Sequence, residues 1–203
     1  MNDGAKKSVV GLTGGIASGK STALKQLEAL GWSVVSADSL VSETLASDGA
    51  VLEKIKQRWG DAVFLPCGSI DKAAVGRLVF GKKLERRWLE DLLHPIVRSK
   101  WISFVQSCPS HKCMIELPLL FENNLQSHFT CTLSIFAPSS MMQKRLHVRG
   151  HSREEAEARI GSQLLITQKA DLADYVIWGG GSKEFLEQQI SSLDITLYHK
   201  LNL

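Results

Sequence analysis

Apolar positions along the chain follow two rhythms. Short apolar runs rich in β-branched residues occupy Ser8–Thr13, Trp32–Ser36, Lys112–Leu117, Thr130–Ala137 and Tyr175–Trp178. Runs of that length bounded by turn residues predict buried strands. Elsewhere the spacing is helical, as at Leu24, Leu27 and Leu30, which share one face. Strands alternating with helices predict an α/β class with a five-stranded, mainly parallel sheet. The first two runs lie about 20 residues apart, enough for a helix crossing between parallel strands.

Two intervals are too long for simple crossovers. Positions 39–108 carry amphipathic stretches and no convincing strand, which predicts an inserted helical segment where about a dozen residues would suffice. Within it Asp71 is expected as a helix N-cap, and Pro95 at a first helical position with His94 as its N-cap. Ser139–Gln168 reads as a second insertion, with two charged helices joined at Gly150-His151-Ser152.

Composition removes several classes. At 44 % hydrophobic and 22 % charged, with 16 Gly and 5 Pro in 203 residues, the chain is an ordinary globular one. The formal charge of +3 is small for a nucleic-acid binder, so any anion site is expected to be local. The longest apolar stretch, Cys113–Phe121, contains Glu116 and Pro118, so no membrane span is expected. Lys6-Lys7 before Ser8 imitates a leader, but Gly11, Gly14 and Gly15 make the following segment too weakly apolar. Cys67, Cys108, Cys113 and Cys131 are irregularly spaced and read as reduced thiols of a cytoplasmic protein. Cys108, His111 and Cys113 are metal-type side chains without a second pair at zinc spacing, which favours a polar loop before a strand.

The segment Gly14-Gly-Ile-Ala-Ser-Gly19-Lys20-Ser21 fits G-x-x-x-x-G-K-S directly after a strand and before a helix. Glycines allow backbone N–H groups to converge on phosphate oxygens, the helix start adds partial positive charge, and Lys20 reaches the β and γ phosphates. Ser21 supplies a hydroxyl for Mg²⁺. Gly14, Gly15, Ala17, Ser18, Gly19 and Thr22 complete the expected nucleotide contacts.

Asp38 follows the second strand, where open α/β sheets bind ligands, and is expected to face the phosphate loop. A carboxylate there deprotonates an attacking hydroxyl, or simply caps the next helix. Arg145 and Arg149, at i and i+4 beside Lys144, with Arg153 and Arg159 further on, make either a phosphate clamp or a solvated charged face. Glu116 ends its strand where an acidic residue orients Mg²⁺ through water, although Leu117-Pro118-Leu-Leu-Phe-Glu122 suggests an apolar pocket wall. No N-K-x-D, D-x-x-G or L-S-G-G-Q-type segment occurs, which leaves a small kinase with an acceptor insertion and a lid that excludes water.

The chain resembles the dephospho-coenzyme A kinase family from Val9 to about Ile190. The segments that carry the likeness are Gly11-Leu-Thr-Gly-Gly-Ile-Ala-Ser-Gly-Lys-Ser-Thr22, Ala37-Asp38, Leu93-His94-Pro95, Pro118-Leu-Leu-Phe-Glu122, Gln143-Lys-Arg145-Leu-His-Val-Arg149, Arg159-Ile-Gly-Ser-Gln163 and Ala173-Asp174-Tyr-Val-Ile177. The resemblance implies a three-layer fold of the P-loop NTPase type and one domain over 1–203. Its core is 8–38, 109–138 and 170–203, its acceptor insertion 39–108 and its lid about 139–169. It implies phosphorylation of the ribose 3′-hydroxyl of dephospho-CoA by ATP with Mg²⁺, giving CoA and ADP, with no nucleic-acid, membrane or obligate protein partner. Lys20, Asp38 and Arg145 become the catalytic candidates, with Arg149 as the second clamp. His94, Leu119, Glu122 and Asp38 fall on the acceptor side. Three departures stand out: Ala17 replaces the usual loop glycine, acceptable with negative φ; Ser36 replaces the first acid of an Asp-Ala-Asp; and Gly179 in Trp178-Gly-Gly-Gly-Ser182 replaces an Asn expected near the base. The alternatives are a kinase for another small hydroxyl acceptor, a nucleotide-binding switch without turnover, and a basic RNA-associated protein.

Overall fold

Each of the five apolar runs forms a strand in the computed structural model, which describes residues 8–80 and 82–201. Lys6 and Lys7 lie outside the described residues. In chain order the elements are β1 (Ser8–Gly14), α1 (Lys20–Ala29), β2 (Ser33–Ser36), α2 (Ala37–Ser47), α3 (Gly49–Trp59), α4 (Lys72–Val79), α5 (Lys83–Ser107), β3 (Lys112–Glu116), β4 (Cys131–Phe136), α6 (Ser139–Val148), α7 (Arg153–Gly161), α8 (Ile166–Leu172), β5 (Tyr175–Trp178) and α9 (Lys183–Leu201). Two compact units result: residues up to Ser36 together with those from Ser107 onward, and Ala37–Gln106.

The first unit holds the sheet, in strand order β2-β3-β1-β4-β5. All four pairings are parallel, so the expected "mainly parallel" sheet is wholly so among the described residues. β1 and β2 are parallel but not neighbours, because β3 lies between them. β1 is buried along its length, with Val10 and Leu12 packing against Met114, Leu133, Ile135 and, from α1 and α9, Leu27, Ile190 and Leu197. The other face is covered by α8 and the chain after β3: a β-carbon on Gly11 would meet Leu120 and Phe129 side chains within 2.9 Å. Burial on both faces explains why these strands read as continuous rather than alternating apolar runs. Asp174 fixes the entry to β5, its Oδ2 accepting from both Thr132 N and Thr132 Oγ1 at 2.8 Å. At the same end of the strands Asp194 Oδ1 accepts from Trp32 Nε1 and Lys112 Nζ, tying α9 to the sheet.

The second unit is helical, as expected, its one strand-like contact among the described residues being a Phe64–Ile70 bridge. Leu45, Val51, Ile55, Val63, Ile70, Val75 and Leu93 form its core. Asp71 caps α4 as the sequence predicts, accepting from Ala73 N and Ala74 N. Pro95 does not start a helix, and His94 is not a cap: both lie inside the 25-residue α5. A proline there removes one helical hydrogen bond at a cost of about 3 kcal/mol. The buried stripe of Leu93, Val97 and Trp101 continues straight through it, so apolar packing outweighs the local break.

The two charged helices of the expected second insertion are α6 and α7, separated at Gly150–Ser152. Ser152 starts α7 with a reciprocal capping box to Glu155. All four cysteines are free; the Cys108 and Cys113 thiols both donate to Ser110 O, and no metal-type cluster occurs among the described residues. Burial raises the Cys131 thiol to about 11, whereas the exposed Cys67 thiol is lowered by its contact with Ser69 Oγ. Native protein treated with iodoacetamide at pH 8 should therefore be alkylated at Cys67 first, with Cys108, Cys113 and Cys131 reacting only after unfolding, as peptide mass mapping would read.

Candidate active site

The turn from β1 into α1 forms the phosphate-type loop the motif predicts. Gly14 has φ +143°, and a β-carbon there would stand 2.5 Å from Ile135 O on the paired strand, so only glycine fits. α1 begins after Gly19 without a side-chain cap and without acidic residues in its first turn. The amides of Ala17, Gly19 and Ser21 make no hydrogen bond among the described residues. A cluster of unused N–H donors at a positive helix end is an anion receptor.

Lys20 projects back over this loop. Its Nζ donates to Gly14 O at 3.1 Å and Gly15 O at 2.9 Å, and lies 3.8 Å from Glu116 Oε1. Glu116 ends β3 with only 4 % of its surface exposed, in register with Leu12 of β1 and Ser36 of β2. The strand order makes this meeting possible, because β3 sits beside β1 and brings its terminal carboxylate level with the loop. The Glu116 side chain therefore belongs to the charged centre rather than to an apolar wall.

Ala17 departs from the expectation. Its φ is +60°, a left-handed conformation costing an L-residue about 1 kcal/mol. The methyl group is buried and packs with Leu146 of α6 and Ala156 of α7, which holds the conformation in place. Arg145 acts at the same point: Nη1 donates to Ala17 O at 3.0 Å and Ser18 O at 3.2 Å, and Nη2 to Gly179 O at 2.7 Å. Gln163 Oε1 accepts from Ile16 N at 3.1 Å. The loop is thus gripped from outside by α6, by the segment after α7 and by the segment after β5.

The remaining sequence candidates fall in varied surroundings. Ser21 is exposed on the first turn of α1, Thr22 is half-buried, and Ser18 is fully buried with an unpartnered Oγ. Arg149 is exposed at the end of α6, so the two arginines of the expected clamp stand in different environments. Leu119 is half-buried after β3, and Glu122 Oε1 accepts from Leu164 N at 2.8 Å. In the second unit, Asp38 is exposed in the first turn of α2 and His94 exposed on the middle of α5.

Two residues with structural weight, Gln163 and Lys169, have no role assigned from the sequence, and a third, Arg145, meets partners other than those expected. Gln163 stood in a quoted segment without a function, and Arg145 was read as facing a ligand rather than loop carbonyls. Lys169 is fully buried and was passed over. Its signal is a lysine on the face of α8 that also carries Ile166 and Ala170, where a helix normally places apolar residues.

A family model described as dephospho-CoA kinase matches residues 8–184. A dephospho-CoA kinase of Staphylococcus haemolyticus is 37 % identical over 188 residues, 91 % of this chain and 93 % of that protein. One from a Synechococcus species is 41 % identical over 177 residues, covering 85 % and 84 % respectively. Among solved structures, a Thermus thermophilus protein superposes with a TM-score of 0.78 at 31 % identity over 94 % of this chain and 97 % of its own. The dephospho-CoA kinase of Campylobacter jejuni gives 0.70 at 29 % identity, covering 96 % and 98 %.

The absence of an Asn at Gly179 has a steric side: a β-carbon there would lie 2.1 Å from Ser18 O and 2.7 Å from Ile135 Cγ2. Gly179 N is also held by Phe136 O at 2.6 Å, so the backbone cannot retreat without losing that bond. Introducing the family residue as Gly179→Asn should push on the phosphate loop and weaken ATP binding at least about tenfold, roughly 1.4 kcal/mol. Calorimetric titration checks this; equal or tighter binding would show that the loop accommodates the side chain.

Proposed function

The chain belongs to the dephospho-CoA kinase family, and from that membership we propose how its own residues carry the reaction. The enzyme transfers the γ-phosphoryl group of ATP to the ribose 3′-hydroxyl of dephospho-CoA, giving CoA and ADP, the last step of coenzyme A biosynthesis. The observation that carries the residue assignment is the loop from Gly14 to Thr22, with unused amides, an overlying Lys20 and a buried carboxylate beside it.

The backbone of Gly14, Gly15, Ala17, Ser18 and Gly19 receives the polyphosphate chain, and the first turn of α1, with Ser21 and Thr22, receives its far end. Lys20 exchanges its present carbonyl partners for phosphate oxygens, because a charged acceptor binds an ammonium more strongly than neutral carbonyls do. Arg145 keeps the loop in its receiving conformation, and Arg149 closes over the phosphates from the end of α6. We assign α6–α8, about 139–169, as the lid and 39–108 as the acceptor insertion.

Magnesium fits the oxygen donors present: the Ser21 hydroxyl would hold it, with the Glu116 carboxylate orienting it through water. When bound it neutralises charge on the β and γ phosphates. Asp38 accepts the proton of the attacking 3′-hydroxyl as that oxygen bonds to phosphorus and the bond to the ADP oxygen breaks. His94, Leu119 and Glu122 shape the acceptor side.

No helix of the described residues is long and apolar enough to cross a membrane. We place the reaction in the cytoplasm, in keeping with four free thiols, and the assignment calls for no nucleic acid or obligate protein partner.

The test is Mg²⁺-dependent ADP release from ATP with dephospho-CoA, run beside AMP, adenosine and gluconate as acceptors. Release with dephospho-CoA alone is expected, and Lys20→Ala should abolish it. Asp38→Asn should bind both substrates while turnover falls about a hundredfold or more, the loss expected for a general base. Near-normal turnover in Asp38→Asn would remove Asp38 from the mechanism, and ADP release with a different acceptor would overturn the acceptor assignment.

A further inference from the structure

The most buried charge in the described chain takes no part in the chemistry above. Lys169 of α8 has no solvent exposure, yet it is neither orphaned nor bonded to a neighbouring turn of its own helix. Its ammonium donates to Pro118 O and pairs with Glu122 Oε1 at 2.8 Å. Both partners belong to the segment that follows Glu116. Pro118 O also accepts from Thr13 Oγ1, the residue before Gly14. Glu122 Oε1 in turn accepts from Leu164 N, and the adjacent Gln163 holds Ile16 N in the phosphate loop.

These contacts form a closed circuit. Starting from the loop at Ile16, it passes through Gln163 and Leu164 to Glu122, through Lys169 to Pro118, and through Thr13 back to the loop. Burying an ammonium is costly unless an opposite charge accompanies it, and Glu122 supplies one at 2.8 Å. Replacing such a pair by apolar groups is often neutral or favourable for stability, so stability alone is a weak reason for its presence. What the pair does supply is directional registry between three segments that no apolar contact would align.

We propose that Lys169 is a positioning residue for phosphoryl transfer: with Glu122 and Gln163 it fixes the phosphate loop relative to the Glu116–Glu122 segment. This rests on the kinase reading above and deepens it. The donor loop and the carboxylate that would serve Mg²⁺ are then set by one buried ammonium, which touches neither substrate. An error of about 1 Å in such a registry costs roughly a hundredfold in rate while leaving ground-state binding largely intact.

Two variants separate positioning from stability. Lys169→Met alone leaves Glu122 without its cation, so both melting temperature and turnover should fall. In Lys169→Met/Glu122→Gln no charge remains unpaired, and the glutamine oxygen can still accept from Leu164 N. The double variant should melt within a few degrees of wild type and keep its ATP KM within about threefold, while kcat with dephospho-CoA stays at least about tenfold low. Recovery of kcat together with melting temperature would overturn the proposal and leave the pair as a stability element. Unchanged kcat in Lys169→Met would overturn it as well. A folded wild-type enzyme that releases no ADP from dephospho-CoA would instead overturn the kinase reading on which the inference rests.

Discussion

A backbone loop can offer N–H groups to phosphate only if its carbonyls have somewhere else to go. Arg145 provides that place, donating to Ala17 O, Ser18 O and Gly179 O from one planar guanidinium. A fork of fixed donors suits this task better than a flexible ammonium, because it holds several acceptors at a set separation. The interaction also accounts for the positive φ of Ala17: the peptide is turned so that its oxygen meets Arg145, and the methyl group is received by Leu146 and Ala156. Local strain at a binding site is sustained here by tertiary contacts from α6 and α7.

The sheet order supplies the second half of the site. Placing β3 beside β1 brings Glu116 level with the end of β1, where its carboxylate approaches Lys20 across a nearly dry interval. Attraction between opposite charges is stronger there than at the surface, since little water screens it. The same edge of the sheet carries Gly179 after β5, close enough to Ser18 to exclude any side chain. Donor loop, carboxylate and the turn after β5 are therefore all set by strand ends, as open parallel sheets generally arrange their ligand sites.

Much of this was legible in the residues. The five strands, the helical character of the stretch between β2 and β3, the cap at Asp71 and the phosphate loop follow from periodicity and motif, because each depends on local preferences. Pro95 misled for a physical reason: the local rule for proline was overridden by an apolar stripe that spans it. Ala17 misled because its conformation is imposed by partners more than 120 residues away in the chain. Arg145 and Lys169 show the same limit. Each is visible in the sequence as a charge, but whether that charge meets solvent, a ligand or a carbonyl is decided by which segments fold against it. For Glu116 the apolar residues that follow it favoured a pocket wall, and only the β1–β3 register shows that it faces Lys20.

Arg145 holds the phosphate loop in its shape before any nucleotide arrives. The most direct test is amide hydrogen exchange in the ligand-free protein, comparing peptides that span residues 14–22 in wild type and Arg145→Ala. Exchange in the variant should be at least about tenfold faster in that segment, corresponding to some 1.4 kcal/mol of lost local protection, with the α9 peptides unchanged. Identical exchange in the two proteins would contradict the account, because the loop would then hold its form without the arginine.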